Sequence, residues 1–366
     1  MQTAVLLSGG VDSAVSLALL HRQAERPLTA FYLKIWLEDE LAHLGDCPWE
    51  EDLRHARAVC ARLDVPLEIL PLQAEYLEQV VAAALAELRA GHTPTPDVWC
   101  NHRIKFGEFL RRISPEYRWL ATGHYAQVER WAGRVRLRRA PDPVKDQTYF
   151  LSRLTQEQLG RALFPVGHLL KEEVRALATR WNLSPRYRPD SQGICFLGKV
   201  PYREFVRFHL GERDGAILEA GTDRSLGRHR GHWFHTIGQR FGLGLGGGPW
   251  YVVAKDPEGN TLWVSHGQEP GPEGRREFVV REVSWIDVPP ETSELQVRVR
   301  HTPELGNCRV RVVAGGGLQV TLAEPDPGLA PGQHAVFYDG PFCLGGGVIA
   351  EAESQAMAAS ISRVTA

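Results

Sequence analysis

Three stretches of this 366-residue sequence combine residue types that do chemistry. The first is SGGVDS, Ser8 to Ser13, which directly follows an apolar run and opens an amphipathic one. A glycine pair at a strand-to-helix turn leaves backbone N–H groups open to an anion, and the helix dipole adds positive potential there. The alternative for such a pair is simply a tight packing turn. The second stretch, TPTPDVWCNHRIKF, carries Asp97 and Cys100, and Pro94 and Pro96 predict an extended loop that delivers both. His102, Arg103 and Lys105 follow. A cationic setting of this kind lowers a thiol pKa from about 8.5 and raises its nucleophilicity, whereas a lone cysteine without it is more often an inert buried group. The third, DSQGICFLGK, sets Cys195 in a glycine-containing loop between Asp190 and Lys199. Two cysteines so far apart in sequence meet only through the fold.

The elements that must position these residues alternate strand and helix. Thr3 to Leu7 reads as a strand buried on both faces, and Val11, Ala14, Val15, Ala18 and Leu19 mark one face of the following helix. A second strand is expected over 28–36, a helix over 53–63, a third strand over 66–72 and a helix over 76–90. Residues 119–128 read as a further strand ending in Gly123-His124. That succession predicts a doubly wound parallel sheet with its ligands at the carboxyl ends of the strands, where SGGVDS lies. His124 there either meets substrate or faces solvent. Residues 130–140 read as a hairpin around a glycine turn with one basic face, which either meets phosphate or is only solvated.

From about residue 200 the pattern changes. Residues 226–253 are dense in Gly, His and aromatic residues and predict a small β-rich module, with a helix near YREFVRFHL. His229, His232 and His235 have metal-like spacing but lack the Cys or carboxylate neighbour of a zinc site, and read as structural. Beyond a linker at 267–276, short strands between Gly/Pro turns predict a barrel or sandwich. In LQVRVRH, Leu295, Val297 and Val299 are expected on one face, with Arg298 and Arg300 forming a basic stripe on the other. The last residues read as a tail.

The composition, 43% hydrophobic and 23% charged, is that of a soluble protein, and no apolar run spans a bilayer. With an amino-terminal core strand in place of a leader, a cytoplasmic location is expected. A net charge of −2 neither demands nor excludes a nucleic-acid partner. The six cysteines contain no CxxC pair, which argues against a zinc site or an iron–sulfur cluster.

SGGVDS lacks the lysine of a Walker loop and resembles the pyrophosphate loop of ATP pyrophosphatases, which release pyrophosphate from ATP. Taken in order, SGGVDS, TPDVWCNHRIKF, ATGHY, KDQTYFL, DSQGICFLG, HTIGQRFGLGLGG, PWYVV, PGQHAVFY and CLGGG resemble the tRNA-specific 2-thiouridylases, the MnmA family. The resemblance implies an ATP pyrophosphatase-loop domain at 1–199, a small central domain at 200–270 and a β-barrel that binds tRNA at 275–354. It implies that Mg-ATP adenylates O2 of uridine 34 in tRNAs for Lys, Glu and Gln, and that sulfur from a persulfide then replaces that oxygen. By the same resemblance, Leu6, Leu7, Ser8, Gly9, Gly10, Val11, Asp12, Ser13, Leu33 and Gly123 would hold the nucleotide. Cys195 would carry the persulfide, Cys100 would resolve it and Asp97 would be the acid/base. Thr95, Pro96, Asp97, His124, Lys145, Asp146, Gln147, Arg300, His301 and Gln333 would contact tRNA. A cysteine desulfurase, directly or through a relay protein, would supply the sulfur; no resident metal and no membrane are implied.

Overall fold

The computed structural model describes residues 1–24, 26–35, 49–190, 200–266, 275–313 and 315–350. The amino-terminal unit is built on a five-stranded parallel sheet of β1 (Gln2–Leu6), β2 (Leu28–Lys34), β3 (Leu67–Pro71), β4 (Tyr117–Ala121) and β7 (Ala162–Leu163), in the order β3-β2-β1-β4-β7. Successive side chains of β1 point to opposite faces, so Ala4 and Leu6 enter one hydrophobic core and Val5 and Leu7 another. This is why the strand has no polar alternation. Helices α1 (Val11–Gln23), α2 (Trp49–Leu63) and α6 (Lys171–Arg180) cover the Val5 face. The other face is covered by α3, running from Gln73–Tyr76 through a wider turn at Leu77–Val81 to Ala82–Arg89, and by α4, which runs over residues 96–112. Strand order reverses between β1 and β4, the switch point where such sheets hold ligands.

Two expectations are corrected. Asp97 and Cys100 sit on a helix, not an extended loop: α4 starts at Pro96–Trp99, continues as wider i to i+5 turns over Cys100–Glu108 and ends at Phe109–Arg112. Pro96 occupies the first turn, where its missing N–H costs nothing. The wide turns have local causes. Gln158 donates to the His102 and Phe106 carbonyls, both at 3.0 Å, and a Cβ on Gly107 would lie 2.9 Å from the His102 carbonyl oxygen. The second correction splits the expected 119–128 strand: β4 ends at Ala121, the chain turns, and β5 (Ala126–Trp131) pairs with β6 (Arg134–Arg139) as a longer hairpin.

Between these lie the short helix α5 (Gln156–Arg161) and, after residue 200, α7 (Tyr202–Leu210). The central module is a four-stranded sheet of β8 (Gly215–Glu219), β9 (Ser225–His229), β10 (Trp250–Asp256) and β11 (Thr261–His266). Its histidines are core groups: His229 donates to the Asn260 carbonyl and accepts from the Gly231 N–H, and burial holds His232 at about 4 and His235 at about 3. The carboxyl-terminal unit, β12 (Arg275–Trp285), β13 (Glu294–Arg298), β14 (Gly306–Val312), β15 (Leu318–Asp326), β16 (His334–Asp339) and β17 (Phe342–Ile349), is an antiparallel barrel closed by β12 against β17. The β5–β6 hairpin joins it through β17, so the first and last units share one sheet. Most of the expected linker, 267–274, and the tail from 351 lie outside the described residues. Among those described, no helix is long and apolar enough to cross a membrane.

Arg298 departs from the basic stripe. Its side chain is fully buried, donating to Asp146 Oδ2 at 2.7 Å and to the Pro303 carbonyl at 3.2 Å, with its guanidinium 5.2 Å from the Tyr338 ring centroid. The alternation of β13 is intact, but its second face is covered by the amino-terminal unit. Removing one member of such a pair strands a buried charge, so Arg298→Met should cost about 3–5 kcal/mol, and adding Asp146→Asn should restore part of it. Denaturant midpoints of both variants and the wild type check this.

Candidate active site

The SGGVDS turn binds itself first. Ser13 Oγ donates to the Gly10 carbonyl at 3.1 Å, accepts from the Ser8 N–H at 3.2 Å and lies 3.2 Å from Ser8 Oγ. Gly9 adopts φ +78°, and a Cβ there would come within 2.4 Å of the Asp52 carbonyl oxygen in α2. Both facts require glycine. Gly123, at the end of β4, has the same cause from the opposite side: a Cβ would sit 2.7 Å from the Ser13 N atom. Its close approach is to the loop backbone itself. Leu33 lies near the carboxyl end of β2, alongside.

The lysine missing from the loop arrives through the fold. Lys171, opening α6, holds both Asp12 carboxylate oxygens at 2.6 and 2.9 Å from a position 159 residues away, and Tyr125 donates to Asp12 Oδ1 at 2.8 Å. Lys171 also pairs with Asp190 at 2.9 Å, which Lys145 and Arg175 bind as well. Burial opposes ionisation of Asp190, yet hydrogen bonds from Lys145 and Lys171 bring its pKa down to about 2. Arg188 donates to the Gly9 carbonyl and pairs with Asp52, whose pKa burial raises despite that partner. Four cations and three carboxylates thus fasten the loop to the segment preceding Cys195. Sequence reading missed Tyr125, Lys171, Arg175 and Arg188, because no local spacing distinguishes them from surface residues of a helix or loop.

A second feature is a cavity of about 280 Å³ to which all three units contribute. Thr95, Pro96 and Asp97 come from the start of α4, Arg300, His301 and Gln333 from the barrel, and Tyr202, Trp233, Phe234 and Thr236 from α7 and the central module. Phe150 and His301 form one aromatic wall, their ring centroids 4.5 Å apart and tilted by 38°. The Thr93 N–H donates to the Pro331 carbonyl at 2.7 Å, and Gly332 packs its backbone against His92 and Thr93, which seats the barrel on this loop. The aromatic wall of the central module was not anticipated from sequence; the density of Trp and Phe near 233 was its one signal.

Six of the ten residues expected at tRNA therefore line one cavity, and four do not. His124 is partly buried at the end of β4, hydrogen-bonded to Thr122, and its pKa is well below the ordinary value because of burial and then the charge of Lys105. Lys145 pairs with Asp190, and Gln147 exchanges hydrogen bonds with Tyr125 in both directions at 2.9 Å. Asp146 is the correction: it is wholly enclosed, bound by Arg298, Arg139, Thr148 and the Ala140 N–H, so its side chain positions others and reaches no partner. Cys100 is buried one helical turn beyond Asp97, and Cys195 lies outside the described residues.

The depressed pKa of Asp190 carries a sign. A carboxylate lowered from 3.8 to about 2 adds stability that is present above its unfolded pKa and lost as pH falls through the folded one. The stability difference between wild type and Asp190→Asn should hold constant from pH 7 to 5 and shrink only below about pH 4, as followed by denaturant unfolding at each pH.

Comparison with known proteins places this geometry. The tRNA methyl transferase HUP domain family matches residues 1–199, the tRNA methyl transferase PRC-barrel domain family residues 203–266, and the aminomethyltransferase beta-barrel domain family residues 275–349. A tRNA-specific 2-thiouridylase MnmA 1 of Bacteroides thetaiotaomicron is 44% identical over 95% of this chain and 99% of its own length. The tRNA-specific 2-thiouridylase MnmA of Parabacteroides distasonis is 42% identical over the same shares. Among solved structures, NMN synthetase from Francisella tularensis overlaps 58% of this chain and 77% of its own at 19% identity, with a TM-score of 0.33, too partial to bear on the chemistry. The domain descriptions speak of methyl transfer, but identity sustained across all three units decides the matter: the chain belongs to the tRNA-specific 2-thiouridylase family of enzymes.

Proposed function

We propose that the enzyme adenylates O2 of the wobble uridine, U34, in tRNAs for Lys, Glu and Gln and replaces that oxygen with sulfur carried as a persulfide on Cys195. The observation that carries this reading is the three-sided cavity, which sets Asp97 and two aromatic walls around a space fit for one pyrimidine, one helical turn from Cys100. A base in a stacked anticodon loop must be turned out to enter it. The division of labour is an ATP domain at 1–199, a central domain at 200–270 and a tRNA-binding barrel at 275–354.

On this reading Leu6 to Ser13, with Leu33 and Gly123 beside them, receive ATP, and the N–H groups at the start of α1 bind its outer phosphates. Uridine O2 attacks the α-phosphorus and pyrophosphate leaves. Lys171 and Arg188 lie against the loop where that negative charge would collect, and Mg²⁺ brought in with ATP would supply further neutralisation of the phosphate oxygens. Asp97 shuttles the proton at the uracil ring. The terminal sulfur on Cys195 then attacks C2 and AMP departs, taking the former O2. Cys100 attacks Cys195 Sγ, which frees 2-thiouridine and leaves a Cys100–Cys195 disulfide for an external thiol to reduce. Thr95, Pro96, Arg300, His301 and Gln333 hold the nucleotide, while His124, Lys145 and Gln147 act nearer the ATP loop. A cysteine desulfurase, directly or by relay, supplies the persulfide in the cytoplasm.

Unmodified tRNA-Glu incubated with the protein, Mg-ATP and a persulfide-generating source should yield 2-thiouridine by nucleoside mass spectrometry, and Cys195→Ser should yield none. Pyrophosphate release undiminished without tRNA would overturn the reading. Lys171→Met should slow tRNA-dependent pyrophosphate release by about 100-fold. Asp97→Asn should slow thiolation by about 10²- to 10⁴-fold.

A further inference from the structure

The tip of the basic hairpin has no part in the site above and opens on a surface cavity of about 700 Å³. This cavity lies against Trp119 and Arg118 near the start of β4, whereas Gly123 and the ATP loop lie beyond its other end. Arg118, Arg130 and Arg134 line the cavity with Trp119 and Trp131, and Glu157 is the one acidic residue among those lining it.

Charge is crowded here in a chain whose net charge is −2. The guanidinium carbons of Arg26, Arg118 and Arg130 all lie near one indole, 5.4, 5.3 and 4.8 Å from the Trp119 ring. Burial lowers the pKa of Arg130, and the charges of Arg118 and Arg26 lower it further, so the three groups repel one another. Beside them Trp131 is 66% exposed, with Arg136 over its ring at 5.7 Å. Arginine forks match phosphate oxygens, and a neighbouring exposed indole offers a stacking surface to an unpaired base.

We propose that this face binds the sugar–phosphate backbone of the tRNA outside its anticodon loop, with Trp131 stacking on an unpaired base. The proposal rests on family membership for its substrate, and on the local charge for its place. An RNA whose anticodon loop fills the three-sided cavity extends far past the loop, and a polyanion relieves the repulsion around Trp119.

The test compares full-length tRNA with an isolated anticodon stem–loop. Arg118→Ala/Arg130→Ala should bind full-length tRNA about tenfold more weakly and reduce the slope of log Kd against log salt by about 2, while stem–loop binding stays unchanged. Trp131→Ala should weaken full-length tRNA with little change in that slope, and Arg118→Lys/Arg130→Lys should keep the slope. Unchanged affinity for full-length tRNA, or equal losses on both RNAs, would overturn the proposal. So would unaltered RNA binding accompanied by slower turnover only with a protein sulfur donor, which would assign the face to an acidic protein. If neither RNA is thiolated by wild type, the family chemistry fails instead, and binding to full-length tRNA still decides the patch.

Discussion

The buried pair of Asp146 and Arg298 is the constraint on which the arrangement of this enzyme depends. Asp146 lies in the segment between the hairpin and the short helical turn at Thr148–Leu151, and Arg298 ends a barrel strand. Two charges withdrawn from water are tolerable only when they are paired and hydrogen-bonded, and here both carry partners although Arg298 Nε has none. Arg139, Thr148 and the Ala140 N–H complete the shell around Asp146, and His301 donates to its backbone carbonyl at 3.0 Å. Because His301 is also a cavity wall, the contact that docks the barrel also orients the cavity.

A similar economy holds at the SGGVDS loop. In a Walker loop the cation lies in the turn itself, whereas here Lys171 comes from α6 and Arg188 from the segment beyond. The consequence is that the loop's electrostatics exist only in the folded protein. The Asp12–Lys171–Asp190 chain also ties Asp190 to the SGGVDS end of the sheet. An anion bound on the loop would therefore be linked to Asp190 through shared charges.

The cavity is built where no single unit could enclose it. The start of α4 supplies polar edges, the barrel supplies Arg300 and His301, and the central module supplies an aromatic wall. Arg300 is itself held by Asp326, and Tyr149 donates to the His334 carbonyl at 3.0 Å. Arg300 is thus braced within the barrel, while Tyr149 ties the amino-terminal wall to the barrel. Any movement between units changes the width of the cavity.

Much of this was legible in the amino-acid sequence, for reasons that are local. The apolar run of β1, the Gly-Gly turn and the spacing of α1 predict the strand–turn–helix because backbone geometry and burial on both faces leave a direct imprint on residue order. Six cavity residues came from the family resemblance, four of them within its quoted motifs, and the short Gly/Pro-bounded strands foretold the barrel. Other features were decided by tertiary contacts. Alternation in β13 tells which residues share a face, but whether Arg298 meets water or Asp146 depends on what packs there. Pro94 and Pro96 read as fixing an extended loop, and only the folded chain shows Pro96 in the first turn of α4. Lys171 and Trp233 look like any surface lysine and any module tryptophan, because a partner more than a hundred positions away, or on another unit, leaves no periodicity in the chain.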